Sequence, residues 1–157
     1  MRLKGTIEED FLNYKEPSMF LLFPECDFKC CKEAGNEICQ NLPLVKQPDI
    51  DVPIETIVEK YISNDISRAI VCGGLEPFKS WEDLYALVKA LREKTNDTIV
   101  IYTGYRNDEI EDKVEMLKQF PNIIIKFGRF IPGQEKHRDQ LLGVDLASLN
   151  QYATKIS

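Results

Sequence analysis

Residues 19–31 read Met-Phe-Leu-Leu-Phe-Pro-Glu-Cys-Asp-Phe-Lys-Cys-Cys, an apolar run that leads directly into a group of cysteines. The apolar run predicts a buried strand, because it is short, continuous and rich in large hydrophobic residues. Four of the five cysteines lie close together in the chain, at Cys26, Cys30, Cys31 and Cys39. Thiolates gathered at the end of a strand can hold a soft metal ion or an iron–sulfur centre.

The composition is that of an ordinary globular domain. A chain of 157 residues with 43% hydrophobic content can bury one core, so we expect residues 1–157 to form a single domain. The 20 Lys and Arg residues are outnumbered by 26 Asp and Glu residues, which gives a net charge of −6. Because nucleic-acid binding needs clustered cations and no basic stripe is visible, we expect no nucleic-acid partner.

The beginning of the chain shows no apolar signal segment, and no apolar run approaches the length of a membrane span. We therefore expect a cytoplasmic protein without a membrane partner. Thiols stay reduced in that compartment, and an odd number of cysteines suits a disulfide framework poorly. Clustered cysteines in such a chain indicate metal or redox ligands.

Strands and helices alternate along the chain. Helices are predicted where apolar residues recur at helical spacing: after Pro53, after Ser80 with Asp83 as a capping box, and from Ile110. The predicted strands are continuous apolar runs, which is typical of strands buried on both faces by helices. They occupy residues 18–23, 68–72, 98–102 and 122–126. This alternation predicts an α/β fold with a parallel sheet and flanking helices.

A long segment without clean periodicity, residues 24–50, follows the first strand. Long loops inside compact domains are usually functional. The cysteine-bearing part of this segment, about residues 24–45, is the predicted metal- or cluster-binding loop.

Unusual residues follow each of the four strands directly. The cysteine loop follows the first strand, residues 73–77 the second, residues 103–105 the third and residues 127–130 the fourth. The carboxyl ends of parallel strands lie at one edge of a sheet, so we expect these four segments to form one site.

Several of these residues also have a purely structural interpretation. Gly73 and Gly74 suit turns that need positive φ. Glu76 on its own suggests a solvated loop carboxylate, and Cys72 suggests a small buried apolar residue. His137 is the only histidine and lies in a charged run that is typical of a solvated surface.

The cysteine loop resembles the signature of the radical SAM superfamily, and more narrowly that of the small activating enzymes of anaerobic ribonucleotide reductase. Cys26 and Cys30 keep the spacing of the first two cysteines of that signature. Glu33 occupies the third position of the compact signature and is not a plausible cluster ligand. Residues 39–41, Cys-Gln-Asn, match the ending of the signature instead.

The resemblance therefore implies Cys26, Cys30 and Cys39 as ligands of an iron–sulfur cluster. It implies an insertion between the second and third ligands, within residues 31–38. Cys31 stays open as an alternative second ligand.

The resemblance extends over nearly the whole chain. Residues 73–77, Gly-Gly-Leu-Glu-Pro, are similar to the family's turn of two glycines, an acid and a proline, with Leu75 added. Residues 101–105 are similar to the end of its third strand, and residues 128–130 to a short motif after its fourth. Residues 146–151 resemble a Ser-Asn-Gln segment near its C-terminus.

The resemblance implies an open, incomplete radical SAM-type β/α barrel that binds a [4Fe-4S] cluster and S-adenosylmethionine. The implied activity is that of a radical SAM oxidoreductase of the glycyl-radical enzyme activating type, which cleaves S-adenosylmethionine reductively to a 5′-deoxyadenosyl radical. No catalytic residue is implied beyond the cluster. The implied partners are a glycyl-radical reductase as protein substrate and a flavodoxin- or ferredoxin-like electron donor. A chain this short leaves the site open on one side, which suits a large substrate such as a protein loop.

The resemblance also implies cofactor-binding residues outside the cysteines. Gly73 and Gly74 would let the backbone approach the methionine portion closely, and Glu76 would accept a hydrogen bond from its ammonium group. The other candidates are Ile38 near the adenine, Thr103 and Tyr105 in the cavity wall, and Ser148, Asn150 and Gln151 near the cofactor or partner.

Two other functions stay open at this point. The first is a different radical SAM reaction, on another peptide or a small molecule, which the expanded cysteine loop and Leu75 favour. The second is a non-catalytic zinc or thiol protein, in which Cys72 would join the loop cysteines as a fourth ligand. Structural zinc sites favour paired two-residue spacings, which this chain lacks.

Overall fold

The computed structural model describes residues 1–157 and contains ten strands, six of which form the central sheet. The four predicted strands are confirmed, with bounds that differ by at most two residues. The strands are β1 (Arg2–Leu3), β2 (Gly5–Asp10), β3 (Ser18–Phe23), β4 (Ile50–Asp51), β5 (Ala69–Gly74), β6 (Thr98–Tyr102), β7 (Ile123–Phe127), β8 (His137–Asp139), β9 (Val144–Leu146) and β10 (Tyr152–Lys155).

Three helices correspond to the predicted ones, and two short helices lie in the segment predicted as a loop. The helices are α1 (Lys29–Ala34), α2 (Leu42–Val45), α3 (Ile54–Ile62), α4 (Trp81–Arg92) and α5 (Glu111–Leu117), with 3-10 turns at Pro77–Ser80 and Asn107–Glu109. The predicted capping box at Ser80 is wrong, because the Ser80 side chain makes no cap hydrogen bond. Instead, Asp83 accepts a hydrogen bond of 3.3 Å from the backbone N–H of Arg2.

The central sheet is mixed and mostly parallel. Its strand order is β10-β7-β6-β5-β3-β2, and the pairs joining β3, β5, β6 and β7 are parallel as predicted. The two edge strands, β2 and β10, lie near the two ends of the chain and pair antiparallel with their neighbours. The strands do not close on themselves, so the fold is an open α/β sheet.

Helices flank only one face of this sheet, which corrects the prediction that helices cover both faces. The helix-side core contains buried residues of α3, α4 and α5 against alternate residues of the strands, such as Leu21, Cys72 and Ile125. The smaller core on the other face contains no helical residue. Both faces are buried, which explains the continuous apolar strands, but non-helical segments cover the second face.

Those segments are the chain between β2 and β3 and the hairpin formed by β8 and β9. They bring Tyr14, Leu142 and Leu146 against the first half of the parallel strands, as at Val71 and Val100. On this face, which we call the inner face, the second half of the strands is covered less completely than the first half. The fold thus leaves a space on the inner face at the carboxyl edge of the sheet.

No helix in the structure has both the length and the apolar character needed to cross a lipid bilayer.

Candidate functional site

A cavity of about 400 Å³ lies at the edge of the sheet where the parallel strands end. Its size falls in the range of small-molecule sites, roughly 300–1,000 Å³. All four segments that were predicted to meet contribute to its wall. The predicted site residues that line it are Cys26, Cys30, Cys39, Gly73, Gly74, Glu76, Thr103 and Tyr105.

Cys31 is the one cysteine of the loop that does not line this cavity. It lines a separate depression formed by residues of α1 and α2. Its Sγ lies 4.0 Å from the Sγ of Cys30, so the two thiols are in contact although the two residues line different cavities. The arrangement places Cys30, rather than Cys31, on the same wall as Cys26 and Cys39.

The loop thiols are free and half-buried. Burial raises the pKa of Cys26 to about 11. Burial and the neighbouring Cys31 thiol raise the pKa of Cys30 to about 11. These thiols therefore stay protonated at neutral pH unless a metal displaces their protons, as metal ligation by cysteine requires.

The three cavity-facing thiols are chemically suited to an iron–sulfur cluster. No three Cys, His, Asp or Glu side chains converge on one point that would hold a single metal ion. In a four-iron cluster each thiolate bonds to a different iron, so the ligands surround the cluster and need not meet at one atom. The three cysteine thiols are soft ligands and lie along one cavity wall, which matches the ligands that a four-iron cluster requires.

Cys72 lies on the other side of the sheet from this cavity. It is fully buried in the helix-side core, and burial raises its pKa to about 12. The structural interpretation of Cys72 is thus confirmed. Its suggested part in a four-cysteine zinc site is wrong, because the sheet separates it from the loop cysteines.

The cysteine loop is hydrogen-bonded to the glycine turn after β5. The Nδ2 of Asn41, in the Cys-Gln-Asn ending, donates to the carbonyl oxygen of Gly74 at 2.8 Å. The backbone N–H of Glu76 donates to the carbonyl oxygen of Glu25, one residue before Cys26, at 2.7 Å. Both ends of the loop therefore reach the same turn, which explains why two segments distant in sequence share a wall.

Gly73 and Gly74 are required by the packing of the two strands around them. A Cβ on Gly73 would lie 2.8 Å from the Phe20 ring. Gly74 has a φ of +80°, and a Cβ there would lie 2.9 Å from the Cα of Leu22. Gly74 thus has the positive φ that the turn interpretation predicted, whereas Gly73 lies within β5 without positive φ and is required by the close approach of β5 to β3. Close approach of a cofactor to their backbone stays a prediction.

Glu76 is buried, not solvated, which contradicts the structural interpretation of this residue. Its side chain accepts hydrogen bonds from the N–H of Phe78 at 3.1 Å, the Thr103 hydroxyl at 2.8 Å and the N–H of Gly104 at 2.8 Å. Burial raises its pKa to about 7, against the opposing effect of these hydrogen bonds. A carboxylate has about four lone-pair sites, so Glu76, which lines the cavity, keeps one acceptor position unused.

Lys126 is a charged residue of the site that the sequence did not reveal. It lies on the inner face of β7, only 7% exposed, and lines the cavity. Its Nζ donates to the carbonyl oxygen of Gly128 at 2.9 Å, and burial lowers its pKa to about 8. The single charge within an otherwise apolar strand was the available signal, because buried lysines are rare without a partner.

The buried Arg129 and the partly exposed Glu109 form an ion pair beside the cavity, and Glu109 was also missed. Hydrogen bonding from Arg129 lowers the pKa of Glu109 to about 2. The guanidinium also donates to the carbonyl oxygen of Gly104 at 3.3 Å and lies 3.3 Å from Glu33, within the predicted insertion. The motif after the fourth strand therefore contacts both the turn after β6 and helix α1.

Three predicted cofactor-binding residues, Ile38, Ser148 and Asn150, do not line the cavity. The buried Ser148 hydroxyl donates to the Asn150 side chain at 2.6 Å. Asn150 Nδ2 donates to the carbonyl oxygen of Arg129 at 2.7 Å. Ser148 and Asn150 therefore stabilise the segment after β7 from outside the cavity. Gln151 does line the cavity and donates to the carbonyl oxygen of Gly128 at 3.2 Å. Direct cofactor binding by the three stays a prediction.

Residues 18–151 match the sequence profile of a family described as 4Fe-4S single cluster domain. The match begins at the first residue of β3 and includes the cysteine loop and all four strand ends that form the cavity. No curated protein matches the chain. The chain therefore belongs to the 4Fe-4S single cluster domain family and is an iron–sulfur protein.

Proposed function

We propose that this protein is a radical SAM enzyme, in which a [4Fe-4S] cluster and S-adenosylmethionine share the cavity at the carboxyl edge of the sheet. The observation that supports this most is the common wall: Cys26, Cys30 and Cys39 line the same cavity as Gly74 and Glu76. The family to which the chain belongs is associated with radical SAM proteins, which supports the same reading.

Cys26, Cys30 and Cys39 would hold the cluster. Three thiolates on a four-iron cluster leave one iron without a protein ligand, and an open coordination position is what a cofactor-binding metal site requires. When bound and reduced, such a cluster supplies the electron that cleaves S-adenosylmethionine to methionine and a 5′-deoxyadenosyl radical. The protein positions the cluster and S-adenosylmethionine, supplies charged groups that bind the cofactor, and excludes water from the site.

The charges in the cavity suit the methionine portion of S-adenosylmethionine. That portion carries an ammonium and a carboxylate group. Glu76 has an acceptor position free for the ammonium, and Lys126 has two unused N–H donors for the carboxylate. A bound ammonium would lower the pKa of Glu76 and keep it ionised, because an opposite charge nearby favours the charged form.

The reaction partner we propose is a protein that receives a glycyl radical, with a ribonucleotide reductase of the anaerobic type as the expected substrate. The open sheet supports this choice, because a site left open on one side admits a loop of a larger molecule. An electron donor of the flavodoxin or ferredoxin class would reduce the cluster.

Anaerobic reconstitution of the full chain with iron and sulfide tests this function. We expect a brown protein with about four irons per chain that forms 5′-deoxyadenosine from S-adenosylmethionine under a strong reductant. A colourless protein that holds zinc would overturn the proposal. Faster formation of 5′-deoxyadenosine with a glycyl-radical reductase would support the activating role, whereas turnover of another peptide or small molecule would replace that substrate alone.

A further inference from the structure

The interval between the first two proposed ligands contains an unfavourable backbone conformation. Phe28, midway between Cys26 and Cys30, has φ 54° and ψ 37°, in the left-handed region that residues with a Cβ disfavour. Helix α1, which begins directly after it, buries no residue. Apolar packing therefore does not hold this interval in place.

The two polar residues of the interval are bound by one other segment of the chain, residues 103–109 after β6. The Tyr105 hydroxyl donates to the Oδ2 of Asp27 at 2.6 Å. The Nζ of Lys29 donates to the Oε1 of Glu109 at 3.1 Å and lies 4.9 Å from the centre of the Tyr105 ring. Both residues that flank Phe28 are thus held from the same side.

The segment that binds them is itself fixed. Glu109 accepts a hydrogen bond of 2.8 Å from the backbone N–H of Arg106 and is paired with the buried Arg129. Gly104 donates to the buried Glu76 at 2.8 Å. The contacts to Asp27 and Lys29 therefore come from a segment that is itself hydrogen-bonded to the buried Glu76 and paired with the buried Arg129.

We propose that Tyr105 and Glu109 are positioning residues for the cluster, which hold the Asp27–Lys29 interval in its left-handed turn and so set the separation of Cys26 and Cys30 before iron binds. The ligand role of the two cysteines rests on the proposed function. Their preorganisation by residues outside the cysteine motif goes beyond it. Supporting groups of this kind orient metal ligands and tune the metal they hold.

Amide hydrogen exchange of the full chain without iron tests the proposal directly. We expect Tyr105→Phe and Glu109→Gln each to speed exchange of the amides between Cys26 and Cys30 by about tenfold, the size expected when one hydrogen bond to a charged group is lost. Tyr61→Phe is the matched control, because Tyr61 donates an equal 2.6 Å hydrogen bond to Asp97, away from the cavity. Unchanged exchange in both variants, or an equal change in the control, would overturn the proposal.

A second variant keeps the test valid if Tyr105→Phe fails to fold. Asp27→Ala breaks the same hydrogen bond from the loop side, together with the 3.4 Å hydrogen bond that Asp27 Oδ1 accepts from the N–H of Lys29, and should speed the same amides. Asp27→Asn keeps an acceptor oxygen for Tyr105 and should restore slow exchange. Failure of Asp27→Asn to differ from Asp27→Ala would contradict the role of this hydrogen bond.

Reconstituted protein provides the second readout. Tyr105→Phe and Glu109→Gln should shift the reduction potential and the electron paramagnetic resonance spectrum of the reduced cluster, and Tyr61→Phe should not. Identical potentials and spectra in all three would contradict positioning of the ligands. Absence of a cluster in the unmodified protein would instead contradict the proposed function, and the exchange experiment needs no iron.

Discussion

The Thr103 hydroxyl donates a hydrogen bond of 2.8 Å to the buried carboxylate of Glu76, and so joins the turns that follow β5 and β6. Thr103 also accepts a hydrogen bond of 3.0 Å from the N–H of Tyr105, which contacts the cysteine loop through Asp27. One buried carboxylate is thereby connected to the loop that carries the thiols.

Glu76 should make stability depend on pH in a defined window. Its pKa is raised in the folded protein from 4.5 to about 7, so the folded state binds the proton more tightly than the unfolded chain. The contribution of Glu76 to the free energy of unfolding is fully present below pH 4.5 and is lost as pH rises through about 7. The loss is roughly 3 kcal/mol, because one pKa unit corresponds to about 1.36 kcal/mol.

Urea unfolding of the iron-free protein between about pH 4 and pH 8 measures this effect. In Glu76→Gln the fall in the free energy of unfolding across the window should disappear. Glu82→Gln, at an exposed position of α4, should retain it. A slope that persists unchanged in Glu76→Gln would assign the pH dependence to other groups.

The four cysteines of the loop should separate into three that bind iron and one that does not. Cys39→Ala should lower iron content and abolish formation of 5′-deoxyadenosine. Cys31→Ala should preserve both, because Cys31 lies outside the cavity. Iron analysis and product assay after anaerobic reconstitution measure this. The reverse pattern, with Cys31→Ala inactive and Cys30→Ala active, would make Cys31 the second ligand.

Gly74 should tolerate no side chain. Gly74→Ala combines a positive φ of +80° with a Cβ 2.9 Å from the Cα of Leu22, so we expect a loss of about 3 kcal/mol in the free energy of unfolding. Gly133 is the matched control, since it has the same φ of +80° and no atom within 4 Å of an added Cβ. Gly133→Ala should lose only about 1 kcal/mol. Equal losses measured by denaturant unfolding would show that packing against β3 adds nothing.

Lys126 should destabilise the folded protein and strengthen the binding of S-adenosylmethionine. Burial lowers its pKa to about 8, so the charged form destabilises the folded protein at neutral pH. Lys126→Met should raise the free energy of unfolding by roughly 1–3 kcal/mol, because it removes a buried charge. It should also weaken S-adenosylmethionine binding at least tenfold, by about 1.4 kcal/mol.

Thermal unfolding and equilibrium binding to reconstituted protein measure the two effects of Lys126→Met. Lys155→Met, on the exposed edge strand β10, should change neither. Unchanged binding in Lys126→Met would remove this lysine from the proposed cofactor site.

The residues that line the cavity could be predicted from the sequence, because their position depends on the order of the strands along the chain. Apolar runs such as residues 18–23 and 98–102 predict strands, and parallel strands bring their carboxyl ends to one edge. Cys26, Gly74 and Thr103 were therefore expected together, and they line one cavity. Ser148 and Asn150 follow no parallel strand, and sequence similarity alone did not indicate that they lie outside the cavity.

By itself, the sequence determined the four central strands, the cysteine loop and the edge at which they meet, since each depends on local apolar runs and on chain order. Only the tertiary structure decided which face the helices cover, which thiol turns away from the cavity, and that Glu76 and Lys126 are buried beside it. These depend on contacts between residues far apart in the chain, such as Tyr105 with Asp27. No local pattern encodes contacts of that kind, because their free energy arises only when the packed fold removes both groups from water.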